Sequence, residues 1–508
     1  MDSPNLTAPG SQADSVANTP DIASPAARLD ESLAGSLAWR ALANWTSQIV
    51  TWAAFLVVAR LLSPADFGIV SMAAILYSYL KYVGEFGIPT VVVTLRDLTE
   101  DQLAQLNGIA VLLGLLALGA SCALAYPVAI FFKTPRLVAV VVVTCLALVA
   151  LGLRAVPEGL LSKDLRFRWL SLVDGGCDVL AAAITLLMAF RGFAYWSLVV
   201  GNLVAAAARS ALIVNARPHR FALPRLRSIR KELIFGWHVL VSILSWNSYT
   251  SLDNVTAGRV LGPSALGFYG MAWNLANVPL EKVTSLVTTI IPSYLSTVQT
   301  EPAALRRYVR GLTELMALAT FPATVGLALV GCELIPIALG YKWKPMVPAL
   351  EILCAYAAVR SLVALLDKVL TAVGKTRFVM WDQLWALVLM PSAFYLGSRW
   401  GIAGIAWGWV AAYPLVALPL YWKTFKTIHM KFGEYFRALR PALDGTAVMI
   451  LGVLGLKWVL PAGQPLLLRL ILEVAVGGAA YIGTVLLLHR QRALAFYNMA
   501  LRLRRAAV

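Results

Sequence analysis

Charge is scarce in this chain. Asp, Glu, Lys and Arg make up only 14% of its 508 residues, against 59% hydrophobic, where soluble domains carry about a quarter. A soluble molecule of this length could not cover its surface with so few charges. One that has lipid as its solvent does not need to, so the composition predicts a polytopic membrane protein. Acids are scarcer than bases, 26 against 43, for a net charge of +17. Cysteine is sparse too. Cys122, Cys145, Cys177, Cys332 and Cys354 stand apart in apolar segments with no paired spacing and no His cluster. That pattern excludes a disulfide framework and a zinc site, and small hydrophobic packing roles are expected. The four histidines (His219, His238, His429, His489) do not cluster either.

Catalytic signatures are also missing. Gly374-Lys375-Thr376 looks like the end of a phosphate loop, but the required earlier glycine is Val369 and no strand precedes it. There is no nucleophile elbow and no pair of catalytic carboxylates. The expectation is a non-enzyme without cofactor, metal or ATP hydrolysis. Residues 1–34 are rich in Ser, Ala, Pro and Asp and lack a basic stretch followed by an apolar run. They predict a disordered cytoplasmic tail rather than a signal peptide.

Long apolar runs fill the rest. A helix needs roughly 20 apolar residues to cross a bilayer, and fourteen candidates lie near 36–59, 68–93, 103–126, 137–161, 170–190, 193–214, 233–258, 265–293, 311–332, 346–373, 378–397, 401–422, 441–460 and 466–488. Lys and Arg concentrate in alternate connections, such as Arg217, Arg220, Arg225, Arg227, Arg230 and Lys231. By the positive-inside rule those connections and both termini are cytoplasmic, which argues against nucleic acid as the reason for the charge.

A phrase occurs twice. ARLLSPADFGIVSM at 59–72 returns as GRVLGPSALGFYGM at 258–271. Arg60, Leu62, Pro64, Gly68 and Met72 recur 199 residues later as Arg259, Leu261, Pro263, Gly267 and Met271. LRF at 165–167 is echoed by TRF at 376–378, and GFAYW at 192–196 by GIAGI at 401–405. Six spans is an even number, so both copies share one orientation and form a parallel repeat about an axis along the membrane normal. The predicted plan is all-α. It has a tail over 1–34, a six-helix half over 35–214, a basic cytoplasmic linker over 215–232 and a second half over 233–424. Two further helices over 425–490 and a basic tail over 491–508 complete it.

The loop RLLSPADFGIVSM, the following Glu85-Phe86-Gly87 and the fourteen-span plan resemble bacterial polysaccharide exporters. These are the Wzx-type flippases of the multidrug/oligosaccharidyl-lipid/polysaccharide superfamily, in a branch similar to the colanic acid exporter. The resemblance covers about residues 36–490. It implies a V-shaped inner-membrane protein that flips undecaprenyl-diphosphate-linked oligosaccharides, working beside a polymerase and other assembly proteins.

Such cargo needs hydrogen bonds for sugars and positive charge for a diphosphate inside an apolar slab. Charges within spans cost about 2.5–3.5 kcal/mol each on insertion scales, so they are functional candidates. Arg40, Asn44, Ser47, Gln48 and Thr51 share a stripe on the first span; Ser242, Ser245, Tyr249, Asp253 and Thr256 share one on the seventh. The 199-residue offset maps Gln48 onto Asn247. Arg40, Asn44, Gln48, Thr51, Arg154, Asn247, Tyr249 and Arg360 are the expected substrate residues, with the three arginines for the diphosphate. Lys81 and Glu85, four apart, and Asp253, with no counter-charge on its own helix, are the expected coupling residues for a proton or sodium ion. Arg154 and Glu158 form another pair four apart. Glu314, Glu333, Asp382, Asp444 and Glu473 sit near predicted span ends, where solvation is expected. The rival readings are a multidrug or small-cation exporter and a polysaccharide polymerase or ligase; the extra pair of helices and the short outer loops weigh against them.

Overall fold

The computed structural model describes residues 48–95, 98–225, 229–298, 302–461 and 463–490. The two predicted tails, with Arg40 and Asn44, lie outside the described residues. So do Arg227 and the side chain of Tyr249.

Among the described residues the secondary structure is helical, without strands. The first half runs α1 (Gln48–Leu61), α2 (Pro64–Glu85), short α3 (Ile88–Thr94), α4 (Glu100–Phe131), α5 (Leu137–Cys145) with α6 (Ala147–Lys163), α7 (Phe167–Phe190) and α8 (Tyr195–Ala216). The second runs α9 (Arg230–Thr256), a π-helical turn (Ala257–Leu261), α10 (Pro263–Val298), α11 (Pro302–Ala338), a 3₁₀ turn (Tyr341–Met346), α12 (Val347–Ala372), α13 (Thr376–Gly397) and α14 (Gly401–Ile428). Then α15 (Phe432–Val459) and α16 (Leu466–Leu488) follow. Among the described residues ten helical stretches are long and apolar enough to cross a membrane, and one of them, Arg377–Ile428, runs through α13 and α14 together. The expected count of fourteen reaches beyond these ten.

Local chemistry sets the boundaries. Ser63 caps α2: its hydroxyl accepts from the Asp66 amide at 3.3 Å, and the Asp66 carboxylate accepts from the Ser63 amide at 2.9 Å. Two otherwise orphaned donors are thereby satisfied, and an acid sits at the positive helix end. Pro64 follows where its missing N–H costs nothing. Thr99 and Gln102 repeat the device at α4. The predicted fourth span is broken at Leu146, where one amide is shared between the Val142 and Val143 carbonyls.

The linker is not a free tether. The Ala222 amide donates to the Ala104 carbonyl at 3.0 Å, the Arg225 amide to Gln105 Oε1 at 3.0 Å, and Asn107 Nδ2 to the Arg220 carbonyl at 3.3 Å. Gly108 permits this strap, because a Cβ there would run into the Ala222 carbonyl.

Candidate functional site

The repeated phrase meets itself. Repeat mates α2 and α10 pack together at the end of the bundle that carries Pro64 and Pro263, called the proline rim below. Gly68 lies against the Pro263 carbonyl, and Gly267 against the Pro64 carbonyl. A Cβ on Gly68 would lie 2.5 Å from the Pro263 carbonyl carbon, and one on Gly267 would lie 2.7 Å from that of Pro64. Each copy therefore needs its glycine because the other copy's proline backbone occupies the space. Beside this crossing Arg60 Nε donates to the Ala338 carbonyl at 2.9 Å and its Nη2 to that of Ile337. Lys342 Nζ donates to the carbonyls of Arg60, at 2.7 Å, and Leu62. Trp343, fully buried, donates to the Ala59 carbonyl at 2.8 Å and packs edge-on against Phe67 and Phe268.

Away from the rim the halves touch through side chains. Lys282 of α10 donates to Gln48 of α1 at 2.7 Å, and Asn247 of α9 donates to Ser78 of α2 at 3.4 Å. Gln48 and Asn247 are repeat mates and each meets the second long helix of the other half, but at positions the repeat does not equate: Lys282 corresponds to Val83 and Ser78 to Asn277. The expected substrate residues Gln48 and Asn247 thus lie at the seam between halves. Thr51 Oγ1 is buried without a hydrogen-bond partner among the described residues. At the linker end Gly236 of α9 faces the Phe86 carbonyl, where a Cβ would stand 2.6 Å away.

The second half holds a polar core among aromatic rings. Asp253 is fully buried. One carboxylate oxygen accepts from Tyr269 at 2.8 Å and from Trp409 Nε1 at 3.1 Å. The other accepts from the Asn254 amide at 2.7 Å and Nδ2 at 3.0 Å. Partners for Asp253 exist after all, on α10 and α14, and its own helix adds the adjacent Asn254. Trp273, Tyr356, Trp409, Tyr413 and Phe394 pack with ring centroids 4.7–5.2 Å apart at the closest pairs. Arg360, halfway along α12, donates to Asn277 at 3.1 Å and lies 5.8 Å from the Trp273 ring centroid. An amide and a ring face fix the guanidinium fork and keep its charge.

The first half has charged groups of its own inside the bundle. Arg154 pairs with Glu158 at 3.4 Å, as the spacing predicts, and also interacts electrostatically with Glu85 of α2. Lys81 and Glu85 form no ion pair within 4.0 Å among the described residues; the Lys81 ammonium lies 5.8 Å from the Tyr82 ring centroid instead. Arg209 of α8 bridges Asp174 at 3.0 Å and Asp178 at 2.7 Å, both on α7. Sequence reasoning passed over this trio. Its signal was present: two acids four apart in one apolar span and an arginine in the next.

Glu333 and Glu473 are not solvated ends. Both are buried, and Lys457 of α15 reaches them at 2.9 and 3.5 Å, clamping α15 and α16 onto α11. Burial on several elements overrides position near a span end. Asp382 is likewise buried, whereas Asp444 pairs with His489 at 3.1 Å.

Comparison with known proteins completes the description. A family profile described as "Polysaccharide biosynthesis protein" matches residues 57–348. The chain is 23% identical over 470 residues to an "Uncharacterized membrane protein in cps region" of Klebsiella pneumoniae, covering 89% of this chain and 94% of that one. It is 23% identical over 381 residues to "Lipopolysaccharide biosynthesis protein WzxC" of Escherichia coli (strain K12), covering 73% and 76%. Among solved structures, "Lipid II flippase MurJ, inward closed conformation" superposes with a TM-score of 0.70 at 14% identity, over 90% of this chain and 99% of that one. An inward-facing multidrug resistance MATE family transporter superposes at 0.60 with 13% identity, over 75% and 94%. The fold is that of these membrane transporters.

Proposed function

The chain belongs to the polysaccharide biosynthesis protein family, and from that premise we propose that it flips polyprenyl-diphosphate-linked oligosaccharides across the bacterial inner membrane by alternating access. The observation that carries the reading is the seam. Two related halves meet along it through polar side chains on apolar helices, with fixed cations beside it. Arg360, held by Asn277 and Trp273, offers the bidentate fork that a diphosphate takes, and Arg154 and Arg40 add positive charge on the first half. Gln48, Asn44, Thr51, Asn247 and Tyr249 offer hydrogen bonds for sugar hydroxyls. The lipid tail stays in the bilayer while the head group passes between the halves.

In this reading the proline rim is periplasmic, and the linker and both termini are cytoplasmic. Residues 35–214 and 233–424 are the rocking units, 215–232 joins them, and 425–490 is an accessory pair. No chemical bond is made or broken, so the work comes from a gradient or from removal of product by the polymerase. Asp253, Lys81 and Glu85 are the coupling candidates, for a proton or sodium ion. Asp253 suits that role because it touches α9, α10 and α14 at once.

The test is genetic and chemical. Deleting the gene should trap the lipid-linked oligosaccharide in the cytoplasmic leaflet. The wild-type chain should clear it, and Arg360→Gln should clear it at least tenfold more slowly at normal abundance. If deletion leaves the leaflet distribution unchanged, the proposal fails.

A further inference from the structure

Resting on that transport reading, we propose that the two copies of the phrase have different jobs at the outer gate. The seam at the first copy is the hinge. The seam at the second is a lateral exit, where Arg259 receives the diphosphate as it leaves.

The two seams are related by the internal repeat and ought to look alike. Arg60 ends α1 and faces the end of α11; its mate Arg259, in the π-helical turn that follows α9, faces the end of α4. Their contacts differ in kind. At the first seam Arg60 and Lys342 donate to four backbone carbonyls, and Trp343 donates to a fifth. These acceptors are main-chain atoms of elements that cannot swing away singly. At the second seam Arg259 lies over the Phe131 ring, 5.2 Å from its centroid, and Gly258 abuts Phe132. Among the described residues no hydrogen bond or ion pair crosses that seam from Phe131, Phe132, Gly258 or Arg259. Ring contacts without direction slide and part more easily than charge-assisted hydrogen bonds.

The backbone differs as well. The first copy enters α2 through the Ser63–Asp66 capping box. The second has Ala265 where Asp66 stands and Gly262 at φ 87° where Ser63 precedes the proline, so no such box forms. The turn carrying Arg259 is π-helical, a rare conformation frequently found at functional sites. Asp253 lies six residues earlier on the same run of helix, so the exit is mechanically continuous with the polar core of the second half.

Arg259 itself points to the ligand. Its Nη1 is hidden from solvent yet has no hydrogen-bond partner among the described residues. An orphaned charged donor calls for an explanation, and a phosphate oxygen is its natural acceptor. The cargo's diphosphate and a neighbouring phospholipid share that chemistry.

Crosslinking separates the two seams. The full-length chain, with its five cysteines replaced by alanine, receives one of two pairs. Phe132→Cys with Gly258→Cys spans the second seam, where loss of the ring makes room for both thiols. Leu62→Cys with Lys342→Cys spans the first, joined by a short bismaleimide. An azide-bearing residue placed at Ser78, which the bismaleimide does not consume, reports access to the cleft by an impermeant strained alkyne added outside after the pair has reacted. Closing the second seam should abolish both outside labelling and export, and reduction should restore them; closing the first should leave at least half of each. Equal block by both pairs, or block by the first alone, overturns the assignment. Labelling needs no glycan, so it stands or falls apart from the identity of the cargo. Arg259→Gln should cut export about tenfold with outside labelling unchanged, and Arg259→Lys should recover part. Full export by Arg259→Gln, with less phospholipid copurifying, would assign the site to bulk lipid phosphate and overturn its role in release.

Discussion

Replacing Gly68 by alanine tests the self-meeting of the repeated phrase. The new methyl carbon would lie 2.5 Å from the Pro263 carbonyl carbon, whereas ordinary contact begins at 3.4 Å. At least 0.9 Å more room is needed, the difference between those distances, and more for the carbonyl oxygen, which is nearer still. The obstacle is backbone at the start of α10, so no side chain can turn aside. Nor can α2 slide, because the Ser63 cap and the Arg60 and Lys342 bonds fix its entry. The remaining response is separation of α2 from α10 at the rim. Overpacking of this size costs about 1–3 kcal/mol, which lowers the closed-to-open ratio roughly 5- to 150-fold. The cost falls on the closed rim rather than on the fold, because the open arrangement relieves it. Rim closure is read by outside labelling of Ser78→Cys in the cysteine-free chain, and folding by thermal denaturation in detergent. Labelling should rise at least fivefold while the melting temperature moves little, and Gly267→Ala should behave alike. Wild-type labelling by both variants would refute the contact as the element that sets closure. A matching collapse of the melting temperature would make the glycines structural only.

Further outcomes follow from the same geometry. Asp253→Asn keeps an acceptor but aims an amide donor at Tyr269 or Trp409; one misdirected donor in a buried site costs about 1–3 kcal/mol, so the melting temperature should fall and any dependence of export on external pH should flatten. An Asp253→Asn chain with unaltered pH dependence would remove this residue from coupling. Lys457→Met leaves Glu333 and Glu473 buried without their shared ammonium, and breaking such a pair costs about 3–5 kcal/mol. Limited proteolysis should then release the α15–α16 pair first, and Glu473→Gln should partly rescue it; a variant as resistant as wild type would contradict the clamp. Cysteines placed at Arg225 and at Lys342 should label from opposite faces, inside and outside respectively, and labelling from one face would contradict the sidedness.

The helical plan was legible because each boundary is written locally. Ser63-Pro64-Ala65-Asp66 spells its own cap, and Gly374 supplies the positive φ that ends a helix. The repeat was legible because its glycines and prolines answer a backbone need that tolerates no substitute. Its reason was not: only the folded pair shows that each glycine makes way for the other copy's proline. The site was legible by residue type and not by partner. Gln48 and Asn247 were marked as mates, yet Lys282 and Ser78, which they meet, lie far along the chain. Asp253 looked isolated because Trp409 is 156 residues away. Lys81 and Glu85 have the spacing for an ion pair but form none within 4.0 Å among the described residues; both Lys81 and Arg154 act on Glu85 electrostatically, and the Lys81 ammonium lies beside the Tyr82 ring. Glu473 looked solvated because a span end says nothing about what packs over it.

The central claim is transport of a lipid-linked diphosphate glycan without nucleotide hydrolysis, and reconstitution tests it most directly. The purified chain is placed in sealed vesicles containing a polyprenyl-diphosphate-linked oligosaccharide with a labelled sugar, and an impermeant glycosidase reports the leaflet that holds the glycan. With an imposed proton or sodium gradient and no ATP, wild-type protein should move the glycan to the protected leaflet, Arg360→Gln should do so at least tenfold more slowly, and empty vesicles should not do so. Wild-type vesicles matching empty ones under both gradients, or movement that appears only with ATP hydrolysis by the purified chain, would contradict the account.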